Sequence, residues 1–510
     1  MTLKLASTAT NPKGQAAPAG FFKLGATTVT VPAGGKASVD VTVNTKLGGT
    51  LDGAYSAYVT ATGGGQTVRT AAAVQREIES YDVTVKHIGR DGKPTADYNT
   101  ILYGYSGLGE GRGFQVTVAP PSGTTTMRVP KGTYLLDAWI AKDFVNFEGG
   151  VDWLVQPKLS VTKNVSVTID ARKTKTSDIT VPDAQAKQQL GVISYNYDPA
   201  GIGFSIGLKS FEGVRVAPLG GDVSGLHQTW SGQWTKGDNT EYDVATTADV
   251  KKIQGDKVRH FKAGELATVK NNLGSGGSGK TGAMSVMGFF PTDFTLGMSF
   301  EQKLPSTRTL YLSTVDKVKW MFDLSQYKGK DADGFPITEA YYSLDDAQTF
   351  KAGQKYSKTF NTAVFGPHLN KYYGLFRYEN AIYGIVPLFA DGAGHAGSSD
   401  FTAVSTSLYR NGVKVGTNDD PLFGGKEFTV PSGEAKYKLT TSVKRSVKVA
   451  AASTRIDASW EFKSKKPTGA DAATLPKNPA KGKAISFHAK IADKKGNKST
   501  ISIYNAYYGK

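Results

Sequence analysis

The 510-residue sequence contains no cysteine, which excludes disulfide bonds, thiolate metal sites and cysteine nucleophiles. It has no run of about eighteen apolar residues, so we predict no membrane-spanning helix. Residues 1–5 do not lead into the apolar stretch and small-residue cleavage site of a signal peptide. What is present, 39% hydrophobic residues and 59 glycines, is typical of a globular chain rich in strands and tight turns.

Motifs for metal and serine chemistry are also missing. No histidine pair has H-x-x-x-H or H-E-x-x-H spacing, so we predict neither a metal nor a cofactor. His395 lies beside serines and aspartates in residues 391–400 (DGAGHAGSSD), but neither G-x-S-x-G nor a G-T-S-M-like turn occurs. This favours a structural histidine in a turn, with a hydrolase of unrecognised site as the alternative. The six histidines are His87, His227, His260, His368, His395 and His488.

A glycine-rich stretch at residues 274–281 (GSGGSGKT) formally matches the phosphate-binding loop G-x-x-x-x-G-K-T. That loop works because backbone amides and a helix N-terminus surround the phosphates, so it needs a strand before it and a helix after it. The flanking sequence shows no alternation of strands and helices. We therefore predict a flexible Gly/Ser loop.

The formal net charge of +17 is concentrated near the C-terminus, where residues 436–510 carry 17 Lys and Arg against 4 Asp and Glu. Such a segment can bind acidic cell-surface polymers, although a solvated, solubilising face is the commoner role. No recognition helix or RNA-binding signature accompanies the charge, so we predict no nucleic-acid partner.

Period-two alternation is clearest at residues 404–462 and predicts half-buried antiparallel strands. Asn411-Gly412 separates two alternating runs, as a type I′ hairpin turn requires. Inward-facing positions are predicted for two sets of residues: Tyr437, Leu439, Thr441 and Val443, then Ile456, Ala458, Trp460 and Phe462.

The whole chain follows this pattern, with Val-Pro-x-Gly corners at residues 31–34, 129–132 and 430–433. We predict an all-β fold of tandem antiparallel β-sandwich domains with few short helices, one of them at residues 263–270. The predicted units are 1–78, 79–175, 176–345, a sandwich at 346–466, and a basic β-hairpin segment at 467–510.

Two features suggest binding without establishing it. Trp230 and Trp234 could form a platform that stacks on sugars, although sandwich cores also use tryptophan. Asp-rich turns at residues 91–92, 330–334 and 493–497 could hold calcium, but none supplies a complete ligand loop, so no metal is predicted there.

Several stretches together resemble the non-catalytic region of secreted subtilisin-like serine proteases of actinomycetes such as Streptomyces. Residues 29–35 (VTVPAGG) and 53–59 (GAYSAYV) resemble the fibronectin type III-like unit that follows their catalytic domain. The later part and the C-terminal end are matched by further stretches: 357–367 (SKTFNTAVFGP), 389–397 (FADGAGHAG), 408–416 (LYRNGVKVG), 453–462 (STRIDASWEF), 492–497 (ADKKGN) and 505–507 (NAY).

The resemblance implies a secreted, extracellular accessory region that positions or stabilises the catalytic domain of a serine endopeptidase, which would be its partner. The protease's aspartate, H-G-T-H and G-T-S-M motifs are absent, so no catalytic residue carries over and the chain itself is expected not to be an enzyme. The alternative is an independent extracellular β-sandwich protein that binds carbohydrate or cell wall.

The first unit is predicted to be incomplete at its N-terminus. Residues 1–74 contain about five strands, whereas a fibronectin- or immunoglobulin-like sandwich has about seven. An incomplete sandwich would leave residues 2–6 and 67–74 without strand partners and Phe21 and Phe22 exposed. The alternative is a smaller, self-sufficient sheet that starts at Met1.

Overall fold

The computed structural model describes residues 1–116, 119–370 and 372–467, together with the backbone of two strands at 486–492 and 498–504. Regular structure in this part is almost entirely β, which confirms the predicted fold class. Most strand pairs are antiparallel. Helical structure in the described residues is limited to short 3-10 turns: Thr45–Gly48, Ala171–Lys173, Phe211–Gly213 and Ala263–Glu265.

The strands of the first two predicted units are β1 Thr2–Thr10, β2 Phe22–Leu24, β3 Thr28–Thr30, β4 Val41–Val43, β5 Gly53–Gly63, β6 Gln66–Arg76, β7 Ser80–Ile88, β8 Tyr98–Gly107, β9 Gly113–Gln115, β10 Thr124–Pro130, β11 Gly132–Ile140, β12 Val151–Val161, β13 Val165–Asp170 and β14 Lys175–Thr176.

The strands of the third predicted unit are β15 Asp178–Thr180, β16 Lys187–Tyr197, β17 Ile202–Leu208, β18 Val214–Pro218, β19 Leu226–Lys236, β20 Thr240–Val250, β21 Val258–His260, β22 Leu266–Leu273, β23 Thr281–Phe289, β24 Phe300–Lys303, β25 Ser306–Ser313, β26 Lys319–Lys330 and β27 Pro336–Ser343.

The remaining strands are β28 Lys355–Phe360, β29 Gly374–Tyr378, β30 Ala381–Ile385, β31 Ala396–Ser399, β32 Ala403–Arg410, β33 Val413–Asn418, β34 Phe428–Thr429, β35 Ala435–Lys444, β36 Arg455–Ser464, β37 Ser486–Ala492 and β38 Lys498–Tyr504.

The first unit is a four-stranded sheet, β3-β1-β5-β6, with a β2-β4 ribbon beside it. Phe21 and Tyr55 stack in its small core with ring centroids 4.0 Å apart. The predicted exposure of Phe21 and Phe22 is therefore wrong: both are buried, because the ribbon carries them into this core. β1 is likewise an inner strand, paired with β3 on one side and β5 on the other. The two edge strands of this sheet are the three-residue β3 and the eleven-residue β6.

The middle of the molecule contains several sheets, some with both parallel and antiparallel pairs and one, the five-stranded sheet, entirely antiparallel. Six strands form β14-β18-β12-β11-β8-β9, with the three-stranded β10-β7-β13 beside them. Seven strands form β17-β16-β19-β20-β25-β22-β28, and five form β24-β23-β26-β27-β31. Parallel pairing occurs within these sheets, for example between β12 and β18 and between β22 and β28.

Two sheets cross borders that the sequence predicts. β18 completes the sheet of β11 and β12, so it crosses the border at 175/176. β28 and β31 pair with β22 and β27 and so cross the border at 345/346. One apolar core, moreover, contains residues from Ala245 to Phe462. Local alternation identifies a strand but not its partner, and these partners are distant in sequence.

The C-terminal sheet has the order β33-β32-β35-β36-β37-β38. The predicted hairpin turn is present, with φ of 49° at Asn411 and 83° at Gly412. Trp460 is fully buried, as its register predicts. β37 and β38 extend the sheet as an antiparallel hairpin, as predicted for the C-terminal segment, while residues 493–497 lie outside the described residues.

The predicted helix at residues 263–270 is wrong. Only Ala263–Glu265 forms a 3-10 turn, and the chain continues as β22 between β25 and β28. Val269 and Leu273 lie on a buried face at even spacing, so strand pairing on both sides outweighs the modest local helix preference.

A buried carboxyl group lies where the sheets of β11 and β16 pack together. Asp137 accepts hydrogen bonds from Trp153 Nε1 at 3.0 Å and Tyr195 Oη at 2.7 Å. Burial raises the pKa of Asp137 to about 6, although both hydrogen bonds oppose that shift. The folded state therefore binds a proton at this group more tightly than the unfolded chain does.

This raised pKa predicts a stability change on acidification. Between about pH 7 and pH 4 the contribution of Asp137 to the unfolding free energy should rise, by about 2–3 kcal/mol at its limit. We expect the stability of the wild type relative to Asp137→Asn to increase over that range in urea unfolding. The burial of neutral His87, whose pKa falls to about 4, acts in the opposite direction but cancels in this comparison. A pH-independent difference would contradict the assignment.

Candidate functional site

The two tryptophans predicted to stack on sugars are core residues. Trp230 is 0% exposed and Trp234 is 5% exposed, both on β19, an inner strand of the seven-stranded sheet. Trp234 packs near Phe211 with ring centroids 6.2 Å apart. The sugar-platform prediction is wrong because almost all of β19 is buried on both faces, which leaves neither ring face open to a ligand.

The Gly/Ser stretch is a loop, as predicted, and it joins β22 to β23 with no helix after it. It is held in place rather than free. Gly276 N donates to Gln326 Oε1 at 2.8 Å, and Gly276 O accepts from Ala451 N at 2.7 Å. Lys280 Nζ lies 2.5 Å from the buried Glu339 carboxylate. Lys280 occupies the position of the phosphate-binding lysine in the motif, but here its amine forms an ion pair with Glu339 inside the protein.

His395 is a buried structural residue, in agreement with the favoured prediction. Its Nδ1 lies 3.0 Å from Asp391 Oδ2, and its ring stacks on Phe360 with centroids 4.0 Å apart. The nearby serine hydroxyls donate elsewhere, Ser399 to Asp400 O and Ser453 to Phe365 O. Within the described ranges, no serine hydroxyl is hydrogen-bonded to His395, so the histidine and aspartate have no paired nucleophile.

The Asp-rich turns use their carboxylates to close their own backbones. Asp91 Oδ1 accepts from Lys93 N at 3.0 Å. Asp331 Oδ1 accepts from Asp333 N at 3.0 Å and Phe335 N at 2.8 Å. Across the part of the chain that the structure describes, no group of three or more His, Asp or Glu is arranged to hold a metal ion.

A polar cleft of about 570 Å³ opens between the β7–β8 turn and the segment before β12. Its floor contains Asp152, whose Oδ1 accepts from Arg90 and Arg215 at 2.7 Å and from Thr174 at 2.6 Å. Asp152 is nearly buried and compensated by these donors. The Asp152 carboxylate is therefore held in an ion pair with two arginines and is not available as an acid or base.

A buried charge cluster lies in the seven-stranded sheet. Arg308 Nε donates to Glu241 at 2.8 Å, and Gln233 Nε2 donates to Glu241 at 3.0 Å and to Asp243 at 2.8 Å. Burial, followed by the neighbouring Glu241, raises the pKa of Asp243 well above its ordinary value, and burial also raises the pKa of Glu241. One guanidinium thus faces two carboxyl groups that resist ionising together.

β6 presents the longest open edge of the first unit. It pairs with β5 over its full eleven residues, and no other strand in the described residues pairs with its outer side. Most of its residues are exposed, and Arg69 lies 3.7 Å over the exposed ring of Tyr58. A long open edge offers backbone N–H and C=O groups to a strand from another chain.

Sequence reasoning missed the polar residues that line the buried face behind the Gly/Ser loop. Gln326 continues the inward-facing series of Trp320, Phe322 and Leu324 on β26, so a polar residue in an apolar register was a usable signal. Glu339 and Asn361 gave no such signal, because their burial depends on strands that are distant in sequence.

Comparison with known proteins identifies no family for this chain. No protein-family description and no curated sequence matches this chain. Similar solved structures include the Bacillus anthracis TIE protein, with 8% identity over 71% of this chain and 68% of that chain and a TM-score of 0.15. A Ca²⁺-stabilized adhesin of an ice-binding Antarctic bacterium has 10% identity over 100% and 91%, with a TM-score of 0.11. BcpA, the major pilin subunit of Bacillus cereus, has 10% identity over 55% and 99%, with a TM-score of 0.13.

TM-scores this low carry no argument about fold or function. In the described residues, no helix has the length and apolarity needed to cross a bilayer.

Proposed function

We propose that this chain is a non-catalytic, extracellular β-sandwich scaffold that serves as the accessory region of a secreted subtilisin-like serine endopeptidase. In this role it positions or stabilises the catalytic domain. Support comes from the ordered set of stretches that resemble the non-catalytic part of such proteases. His395, which lies in the stretch that most resembles a catalytic motif, is buried and pairs with Asp391.

The observation that carries the proposal is the open edge of β6. The resemblance implies that the fibronectin-like unit directly follows the catalytic domain, and β6 is the longer of the two edge strands of the four-stranded sheet in that unit. Its sequence (QTVRTAAAVQR) has no acidic residue, and Arg69 is its exposed cation, because Arg76 is buried and donates to backbone carbonyls of the same unit. The edge therefore suits a strand or loop of neutral or acidic character. Strand addition at this edge would fix the catalytic domain against the scaffold.

Thermal inactivation of a protease tests this proposal. The catalytic domain of a Streptomyces-type subtilisin-like protease should lose activity more slowly when the full chain is added. Ala71 and Ala72 are adjacent on β6, so their N–H groups point to opposite sides of the strand. Ala71→Pro and Ala72→Pro each remove one of these N–H groups. The variant that loses the N–H pointing away from β5 should no longer slow the inactivation of the protease, while it keeps the wild-type circular dichroism spectrum.

The matched variant, which loses a bond to β5, should instead weaken the first unit itself. An inactivation rate unaffected by the wild-type chain would contradict the proposal.

The hydrolase alternative predicts that an alkyl fluorophosphonate labels a serine of this chain. The cell-wall alternative predicts retention on cell-wall material, for which the basic C-terminal segment remains the candidate because the tryptophan platform is buried.

A further inference from the structure

Three polar residues meet on neighbouring strands of the five-stranded sheet. Lys280 directly precedes β23, Gln326 lies on β26 and Glu339 lies on β27. The register pairs Gln326 with Gly282 on β23 and with Ala340 on β27. Lys280 is two residues before Gly282 and Glu339 is next to Ala340, so these two residues flank Gln326 on its two sides. Gln326 is fully buried, Glu339 is 4% exposed, and the Lys280 side chain is 14% exposed.

One carboxylate oxygen joins the lysine to the glutamine. Glu339 Oε1 lies 2.5 Å from Lys280 Nζ and accepts a hydrogen bond from Gln326 Nε2 at 2.9 Å. The Lys280 amine and the Gln326 amide nitrogen therefore both lie within hydrogen-bonding distance of the same Glu339 oxygen. A carboxylate in this position can take a proton from the amine and return it to the amide nitrogen.

The carbonyl end of the same amide is held by two donors. Gln326 Oε1 accepts from Gly276 N at 2.8 Å and from Asn361 Nδ2 at 2.9 Å. Two donors aimed at one carbonyl oxygen stabilise the negative charge that develops there during acyl transfer. Only glycine fits at position 276, because a Cβ there would come within 2.3 Å of Val449 O. The hydrogen bond from Gly276 N to Gln326 Oε1 therefore gives the Gly/Ser loop a structural role that does not involve phosphate.

We propose that Lys280 and Gln326 form an intramolecular amide cross-link. Lys280 gives one proton to Glu339, and its neutral Nζ attacks Gln326 Cδ while Gly276 N and Asn361 Nδ2 hold the oxygen. The Nζ–Cδ bond forms, the Cδ–Nε2 bond breaks, and Glu339 returns its proton to the departing nitrogen. On attack, Nζ also gives up a second proton, which passes through the same carboxylate to the departing nitrogen. With these two added protons the former amide nitrogen leaves as ammonium. The exchange of one amide for another needs no oxidant or cofactor.

The cross-link would tie β23 to β26 and close the intervening chain into a covalent loop. Such a link constrains the unfolded state as a disulfide does, and this chain has no cysteine with which to make one. Its buried position also protects the amine from competing reactions. The cross-link therefore supplies a covalent brace that suits an extracellular scaffold but does not depend on a protease partner.

Mass spectrometry of the purified full chain tests the proposal directly. The intact protein should be lighter than its sequence by one ammonia. After trypsin, residues 271–303 should remain uncleaved at Lys280 and be joined to residues 320–328. Glu339→Gln keeps the side-chain volume but cannot shuttle the proton, and Lys280→Arg removes the nucleophile, so both should have the full sequence mass. Lys328→Arg, at an exposed ion pair with Asp400, is the control and should still lose ammonia.

Several results would overturn the assignment. A wild-type chain of full sequence mass would mean that Lys280 and Glu339 form only an ion pair. A link from residues 271–303 to residues 359–371 would make Asn361 the acceptor, and loss of water with a link to residues 331–351 would make it Glu339. Loss of ammonia without any cross-linked peptide, as from a succinimide at Asn411, would also count against the proposal. The wild-type measurement decides even if a variant fails to fold.

Discussion

Replacing Trp460 with alanine should lower the free energy of unfolding by about 3–5 kcal/mol, the usual cost of removing a large side chain from a packed core. Trp460 is fully buried on β36, opposite Leu439 of β35. The surrounding core extends from Ala245 to Phe462, so the full chain is the right molecule for the measurement. Urea unfolding followed by far-ultraviolet circular dichroism should show the loss.

A matched aromatic truncation controls for this result. Phe335→Ala removes a ring that is 68% exposed and should change stability by less than about 0.5 kcal/mol. If Trp460→Ala were as mild as Phe335→Ala, the inward register of β36 would be wrong.

Arg308→Met should be comparably damaging, with a loss of about 3–5 kcal/mol at neutral pH. The arginine and its partner Glu241 are both buried, and the guanidinium also donates to Gln302 Oε1 at 2.7 Å and Asp238 O at 2.9 Å. Methionine fills a similar volume but leaves the Glu241 carboxylate buried without its cation. The cost should therefore come from charge rather than from a cavity.

Two comparisons separate these causes. Adding Glu241→Gln to Arg308→Met should recover part of the loss, because it removes the uncompensated charge. Lowering the pH should also help the single variant, since a carboxyl whose folded-state pKa is raised gains stability as it is protonated. Arg455→Met, at an exposed pair with Asp457, should cost less than about 1 kcal/mol. A loss in Arg308→Met that neither Glu241→Gln nor acidification reduces would point to packing instead.

The sequence predicts strands well where burial is one-sided. The face of Trp460 and the Asn411-Gly412 turn follow from alternation and turn chemistry, which act over a few residues. Prediction fails where the outcome depends on partners that are distant in the chain. Trp230 is buried because β19 is covered on both faces, and β22 is a strand because β25 and β28 flank it.

The candidate sites follow the same division. The Gly/Ser loop and the structural role of His395 were predictable from missing local context, since a phosphate loop needs a helix and a serine hydrolase needs a nucleophile turn. The Lys280–Glu339–Gln326 arrangement was not, because three neighbouring strands must first be placed side by side. For the first unit, the sequence predicts residues 67–74 without a partner, and β6 is indeed an edge strand there. The same prediction for residues 2–6 is wrong, because β1 lies between β3 and β5.

Hydrogen exchange on β6 tests the scaffold hypothesis most directly. In the isolated chain, the amides of residues 66–76 that point away from β5 should exchange quickly, whereas those of β1, an inner strand, should be protected over their paired positions. Adding the catalytic domain of a Streptomyces-type subtilisin-like protease should slow exchange at the outward amides of β6 and leave β1 unchanged. Unaltered exchange along β6 at a saturating concentration of that domain would contradict the proposed role.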